Sequence, residues 1–157
     1  MPKFQLKKLL RDSRGNILVI CQFFIIILHF IKLEFLPKIT IMSVSSRFGY
    51  FGYLIIIFAS ILMILSIKDL GRNLSPFPKP ISNGKLITSG IYSFIRHPMY
   101  YSLILISFGV FIINLSFYYL CLTISLTLVI KFKITLEEKY LKNKFKNYLF
   151  YKDKVKF

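Results

Sequence analysis

"MYYSLILISFGVFIINLSFYYLCLTISLTLVI", residues 99–130, is one nearly unbroken apolar run. A bilayer crossing takes about 20 such residues, so this stretch is too long for one crossing. Asn114 is the only interruption, and Ser116 follows it closely. The run therefore reads as a tight helical hairpin that turns at Asn114–Ser116, with Met99–Ile113 as one arm and Leu115–Phe132 as the other. The first arm is short, which fits either a tilted span or one that is only partly inserted.

Two further apolar stretches precede the hairpin: Asn16–Ile31 and Phe48–Ile67. The 157 residues are 55% hydrophobic, and the apolar positions are segregated into runs instead of being interleaved with charge. The expectation is an all-α, multi-pass transmembrane protein of about four spans, with a C-terminal helical hairpin and an amphipathic tail helix. Residues 1–67 form the N-terminal transmembrane helices, and residues 68–157 form the functional core.

Charge orients this arrangement. The formal net charge is +16, and the cations flank the spans instead of forming one basic face, which argues against nucleic acid as a partner. Lys3, Lys7, Lys8, Arg11 and Arg14 precede the first span. Lys68, Arg72, Lys79, Lys85 and Arg96 lie between the second and third, and nine lysines run from Lys131 to Lys156. Positive charge marks the cytoplasmic side, so both termini and the middle loop are expected there, close to anionic lipid. The basic start resembles a secretory signal, but "KLEFLPK" (32–38) has no small-residue cleavage site, so it is expected to stay as an anchor. Cys21 and Cys121 read as packing residues, His29 as a helix-end residue near the interface, and Gly49, Gly52 and Ala59 as small residues that let helices approach closely. No metal site is expected.

The middle loop, residues 68–98, is long for a connection, and long ordered loops tend to carry function. Pro76, Pro78 and Pro80 impose an extended path, while Asn83–Gly84 and Ser89–Gly90 are turn dipeptides. At its end stand Arg96, His97 and Pro98. Proline suits a first helical turn, whose free N–H groups favour an anion. Across the hairpin the start of one arm and the end of the other share one depth, which makes Tyr100 and Lys133 neighbours. Glu137 and Glu138 project just beyond. Singly, each of these residues reads as an interface anchor or a helix-surface pair; together they form a polar site at the membrane surface.

With "LGRNLSPFPKP" (70–80), "SGIYSFIRHPMY" (89–100) and "LEEKYLKNKF" (136–145) in view, followed by Tyr148, Tyr151 and Val155, the chain resembles the isoprenylcysteine carboxyl methyltransferase family. That family belongs to the wider group of membrane methyltransferases that includes phospholipid N-methyltransferases. The resemblance covers residues from about Asp69 onward and implies S-adenosyl-L-methionine as cofactor. It implies cofactor binding by Gly90, His97, Pro98, Met99, Tyr100, Leu105, Glu137 and Glu138, with Lys133 and Arg96 at the catalytic end. Glu137 would carry the affinity, and Glu138 would pair with Lys142 on the helix surface. Lys133 stands where the family usually has arginine, and Ser102 and Lys146 stand where it has glycine. The implied reaction is methyl transfer to a lipophilic or lipidated acceptor from the bilayer, most like an isoprenylcysteine carboxyl group. A phospholipid or amine acceptor, an NADPH-dependent reductase of the sterol reductase type and a non-catalytic lipid adaptor are the alternatives.

Overall fold

The computed structural model describes residues 13–31 and 46–156. The basic segment with Lys3, Lys7, Lys8 and Arg11, the proposed anchor boundary at 32–38 and Phe157 lie outside the described residues. Five α-helices account for most of what is described: α1 (Ser13–Leu28), α2 (Ser46–Leu70), α3 (Pro98–Asn114), α4 (Phe117–Lys144) and α5 (Tyr148–Lys154). Two short 3₁₀ turns, Gly71–Asn73 and Gly90–Ser93, punctuate the loop between α2 and α3. No strand occurs among the described residues.

The hairpin turn falls where the sequence places it. α3 stops at Asn114, whose side-chain amide donates to the Val110 carbonyl at 2.8 Å. Leu115 then takes a left-handed conformation (φ 43°), and its N–H closes the helix by donating to the Phe111 carbonyl at 2.7 Å. A non-glycine residue at positive φ is uncommon; here it buys the reversal that brings α4 back along α3. At the other end of α3, Pro98 occupies the first helical turn.

α2 and α4 are long and apolar enough to cross a bilayer. α1 and α3, with 16 and 17 residues, are apolar but shorter. At about 1.5 Å per residue they reach about 24 Å and about 26 Å, against a hydrocarbon core of about 30 Å. Two crossings are thus supported by length and composition, where four were expected.

α2 packs along α3, and α4 packs against both α1 and α3. The α2–α3 approach is closest at two glycines. A Cβ on Gly52 would stand 2.8 Å from the Gly109 carbonyl oxygen, and one on Gly109 would stand 2.9 Å from that of Gly52. Small residues that let backbones touch are the usual device of membrane helix pairs. Ala59 is also buried, whereas Gly49 has open space around its Cβ position. Tyr100, Leu122, Leu126 and Ile130 form the buried centre between α3 and α4, together with Ile25 of α1.

The tail departs from a separate amphipathic helix beginning after the fourth apolar run. α4 continues without a break through Lys144, and the chain turns at Phe145, which is extended (φ −118°, ψ 113°). Phe145 packs with Leu86 and Leu141 against Tyr148, Tyr151 and Val155, so the reversal is held by apolar burial. The short α5 then folds back over the middle loop, leaving Leu149 and Phe150 exposed.

Candidate active site

The middle loop, the first turn of α3, the last turns of α4 and the tail enclose a cavity. Pro78, Tyr92, His97, Met99, Tyr100 and Glu137 are among the residues that line it, with Phe77, Ile81, Leu86 and Leu141 supplying apolar wall. Each part has a local cause. Asp69, at the end of α2, accepts the Ile91 N–H at 2.7 Å and so fixes the turn that presents Tyr92. Gly90 makes that contact feasible: its φ is +61°, and a Cβ there would fall 2.0 Å from Asp69 Oδ2. Asn73 Oδ1 accepts the Lys85 N–H at 2.8 Å and ties the two limbs of the proline-rich loop together.

At the centre, the Tyr100 hydroxyl donates to Glu137 Oε2 at 2.5 Å. The His97 imidazole stacks on the Tyr100 ring, with centroids 5.8 Å apart. Lys133 also meets this ring, with its Nζ 5.0 Å from the Tyr100 centroid. Lys133 is 1% exposed, and its ammonium donates to Gln22 Oε1 of α1 at 2.6 Å. The expected neighbours Tyr100 and Lys133 are therefore together, and a residue of the first helix holds Lys133.

Glu138 points elsewhere. Its carboxylate lies 3.3 Å from Arg96 Nε, 3.5 Å from His97 Nε2 and 2.5 Å from Lys152 Nζ. These partners replace the expected surface pair with Lys142, because α5 folds back and carries Lys152 into reach. The apolar part of α4 ends at Phe132, and Glu138 sits in the charged extension beyond it. The His97 imidazole, then Lys152 and Arg96, outweigh the burial that opposes them and hold the Glu138 carboxyl down at about 2. Arg96 also donates to the carbonyls of Lys152 (3.1 Å) and Val155 (2.5 Å), and the Tyr151 hydroxyl donates to the Tyr92 carbonyl at 2.6 Å. Burial pushes the phenols of Tyr92 and Tyr148 well up and that of Tyr151 to about 12, so all three stay neutral at ordinary pH.

Of the residues assigned from the sequence, His97, Met99, Tyr100 and Glu137 face the cavity together, and Arg96 borders it while gripping the tail. Pro98 is buried as the helix start. Gly90 shapes the turn before Tyr92, and Leu105 sits farther along α3; neither is among the cavity-lining residues. Lys133 and Glu138 lie directly behind the wall. Sequence reasoning missed Gln22, Asp69 and Tyr92. Gln22 carried a visible signal, as a lone amide inside "VICQFFIII" (19–27).

His29 stands just past the end of α1, as expected, and it also has polar partners. Its Nε2 lies 2.7 Å from Ser107 Oγ, which in turn lies 2.8 Å from Thr123 Oγ1. This polar chain links the end of α1 to α3 and α4.

The residues fit S-adenosylmethionine in kind. A buried carboxylate suits an ammonium or sugar hydroxyls. The His97 imidazole, whose Nε2 lies beside Glu138, lines the cavity wall and offers a polar ring to the methionine end. The proline-rich apolar wall suits a planar base, and the tyrosine faces suit a sulfonium. No group of three or more His, Cys, Asp or Glu residues that could hold a metal occurs among the described residues.

Among known families, the one described as Phospholipid methyltransferase matches residues 48–148, well over half of the chain. No curated protein matches.

Proposed function

The chain belongs to the phospholipid methyltransferase family, and on that premise we propose that it is an integral membrane enzyme that methylates a lipid acceptor with S-adenosyl-L-methionine. The cluster that carries this reading is Tyr100–Glu137–His97 at the cavity wall. When bound, the cofactor supplies an electrophilic methyl group on a sulfonium and leaves as a neutral thioether. The chain's own work is orientation, which supplies about 7–11 kcal/mol in well-aligned systems. Glu137, fixed by Tyr100, holds one end of the cofactor; His97 and Met99 hold the methionine end. Loop and tail close the cavity against water.

For the acceptor, we favour the amine of a phospholipid. A carboxylate acceptor, as in isoprenylcysteine carboxyl methylation, calls for a cation free to receive it. Both candidate cations are engaged: Lys133 with Gln22, and Arg96 with Glu138 and two tail carbonyls. An ammonium must first lose a proton, for which the cavity wall offers His97 and Glu137. The carboxyl acceptor is the second reading, favoured by the same two cations if substrate displaces their partners. On this proposal all four long helices are embedded, and both the cavity and the chain termini face the cytoplasm, as the charge distribution indicates.

The experiment is methyl transfer from radiolabelled S-adenosylmethionine, with purified protein in vesicles carrying either an aminophospholipid or an S-farnesylcysteine analogue. Label in the phospholipid supports the amine reading. Label in the cysteine carboxyl only overturns it in favour of the second, and label in neither sinks both.

A further inference from the structure

A second cleft, of about 610 Å³, opens between the 3₁₀ turn at Gly90–Ser93 and the tail. Three lysines line it: Lys144, Lys146 and Lys154. Among the described residues, no acidic one does. Neutral donors stand among the cations, the Thr88 hydroxyl and the Asn147 amide. Lys144 is held in place by a hydrogen bond from its ammonium to the Ile81 carbonyl. Such a cleft presents clustered positive charge together with hydrogen-bond donors, which is the chemistry of a phosphate site.

Its surroundings decide what carries the phosphate. Phe150 lines the cleft and is 76% exposed. Phe94, directly after the 3₁₀ turn, is 73% exposed and lies four residues before α3 begins. Leu149 is exposed beside Phe150 on α5. Bare aromatic and aliphatic side chains next to lysines at the end of an apolar helix bundle mark a surface that meets a bilayer interface. A nucleic acid or a free metabolite gives no reason for that apolar rim.

We propose that this cleft binds the phosphate-bearing headgroup of an anionic phospholipid from the adjoining leaflet, with Phe150 and Phe94 set among its acyl chains. The lysines supply attraction to the negative headgroup, and the apolar rim selects a lipid over a soluble anion. The site shares Leu86, Phe145 and Tyr151 with the wall of the candidate active site, so lipid seated here braces the tail that closes it. Binding requires no methyl donor and stands or falls independently of the catalytic reading.

The chain contains no tryptophan, so Phe150→Trp installs a single reporter. Purified Phe150→Trp protein in nonionic detergent is titrated with phosphatidylglycerol or phosphatidylcholine carrying brominated chains. Quenching by phosphatidylglycerol is expected to saturate at a far lower mole fraction. Neutralising Lys144, Lys146 and Lys154 together to Gln is expected to weaken it roughly a hundredfold, from the usual worth of a lysine near an anionic surface. Lys139→Gln with Lys142→Gln, two exposed lysines outside the cleft, is expected to leave it unchanged. Lys146→Gln and Lys154→Gln singly serve if the triple variant fails to fold, each expected to weaken quenching severalfold. Equal quenching by both lipids, equal loss in the Lys139/Lys142 variant, no loss in the single variants, or full reversal by inorganic phosphate would each overturn the proposal.

Discussion

The ammonium of Lys133 donates to Gln22 Oε1 at 2.6 Å across 111 positions of sequence, and both side chains are buried. This contact ties α1, which precedes the family match at residue 48, to the wall of the candidate active site. A buried cation is costly without a partner, so the first helix helps define the site instead of serving only as an anchor.

Removing the amide should therefore cost more than its size suggests. Gln22→Leu is expected to lower stability by about 2–4 kcal/mol, because it strands a buried charge. Lys133→Met in the same protein should recover most of that loss. Thermal or denaturant unfolding in one detergent checks this as a double-mutant cycle; strictly additive losses would mean that the pair is not coupled.

The tail clamp has a defined acid limit. Glu138 is depressed to about 2 from an ordinary value of 4.5, so its stabilisation is fully present above 4.5 and is lost as pH falls toward 2. Trp emission from the Phe150→Trp protein should stay constant from pH 7 to about 5 and shift only on further acidification. In Glu138→Gln it should already be shifted at pH 7. A transition already complete above pH 5 would contradict the assignment of the clamp to Glu138.

The α2–α3 contact is predicted to be intolerant at one glycine pair and tolerant one turn away. Gly109→Val or Gly52→Val should cost about 1–3 kcal/mol through overpacking against backbone. Gly49→Ala, with nothing within 4 Å of the added atom, should be neutral or slightly stabilising. Thermal midpoints of the three variants decide it.

Much of this architecture is legible in the sequence, and the reason is local. The turn at Asn114–Ser116, Pro98 at a helix start and the level shared by Tyr100 and Lys133 follow from run length, one interruption and hairpin geometry. The helix limits were less so: the chain stays helical from Phe132 to Lys144 because nothing in "KITLEEKYLKNK" (133–144) breaks it, and it stops at Phe145 only through packing with Leu86 and Tyr148. Pairings across long separations were not legible. Asp69 with the Gly90 turn, Arg96 with the Val155 carbonyl, and His29 with Ser107 each depend on how separate elements come together. Periodicity gives a residue its face, but it does not name the residue opposite.

Glu137 and Glu138 now carry different predictions. Glu137 faces the cavity and is fixed by Tyr100, whereas Glu138 holds Arg96, His97 and Lys152. Tyr100→Phe should weaken cofactor binding about tenfold by freeing the Glu137 carboxylate, the worth of one charge-assisted hydrogen bond. Glu138→Gln should mainly loosen the tail. Calorimetry of both variants, beside hydrogen exchange of residues 148–156, separates the two effects.

Calorimetric titration of the purified protein in detergent, with S-adenosylmethionine and with NADPH in parallel, decides whether the cavity is a methyl-donor site. Saturable S-adenosylmethionine binding that Glu137→Gln weakens tenfold or more, with no NADPH heat, is expected. Saturable NADPH binding with no response to S-adenosylmethionine would contradict it.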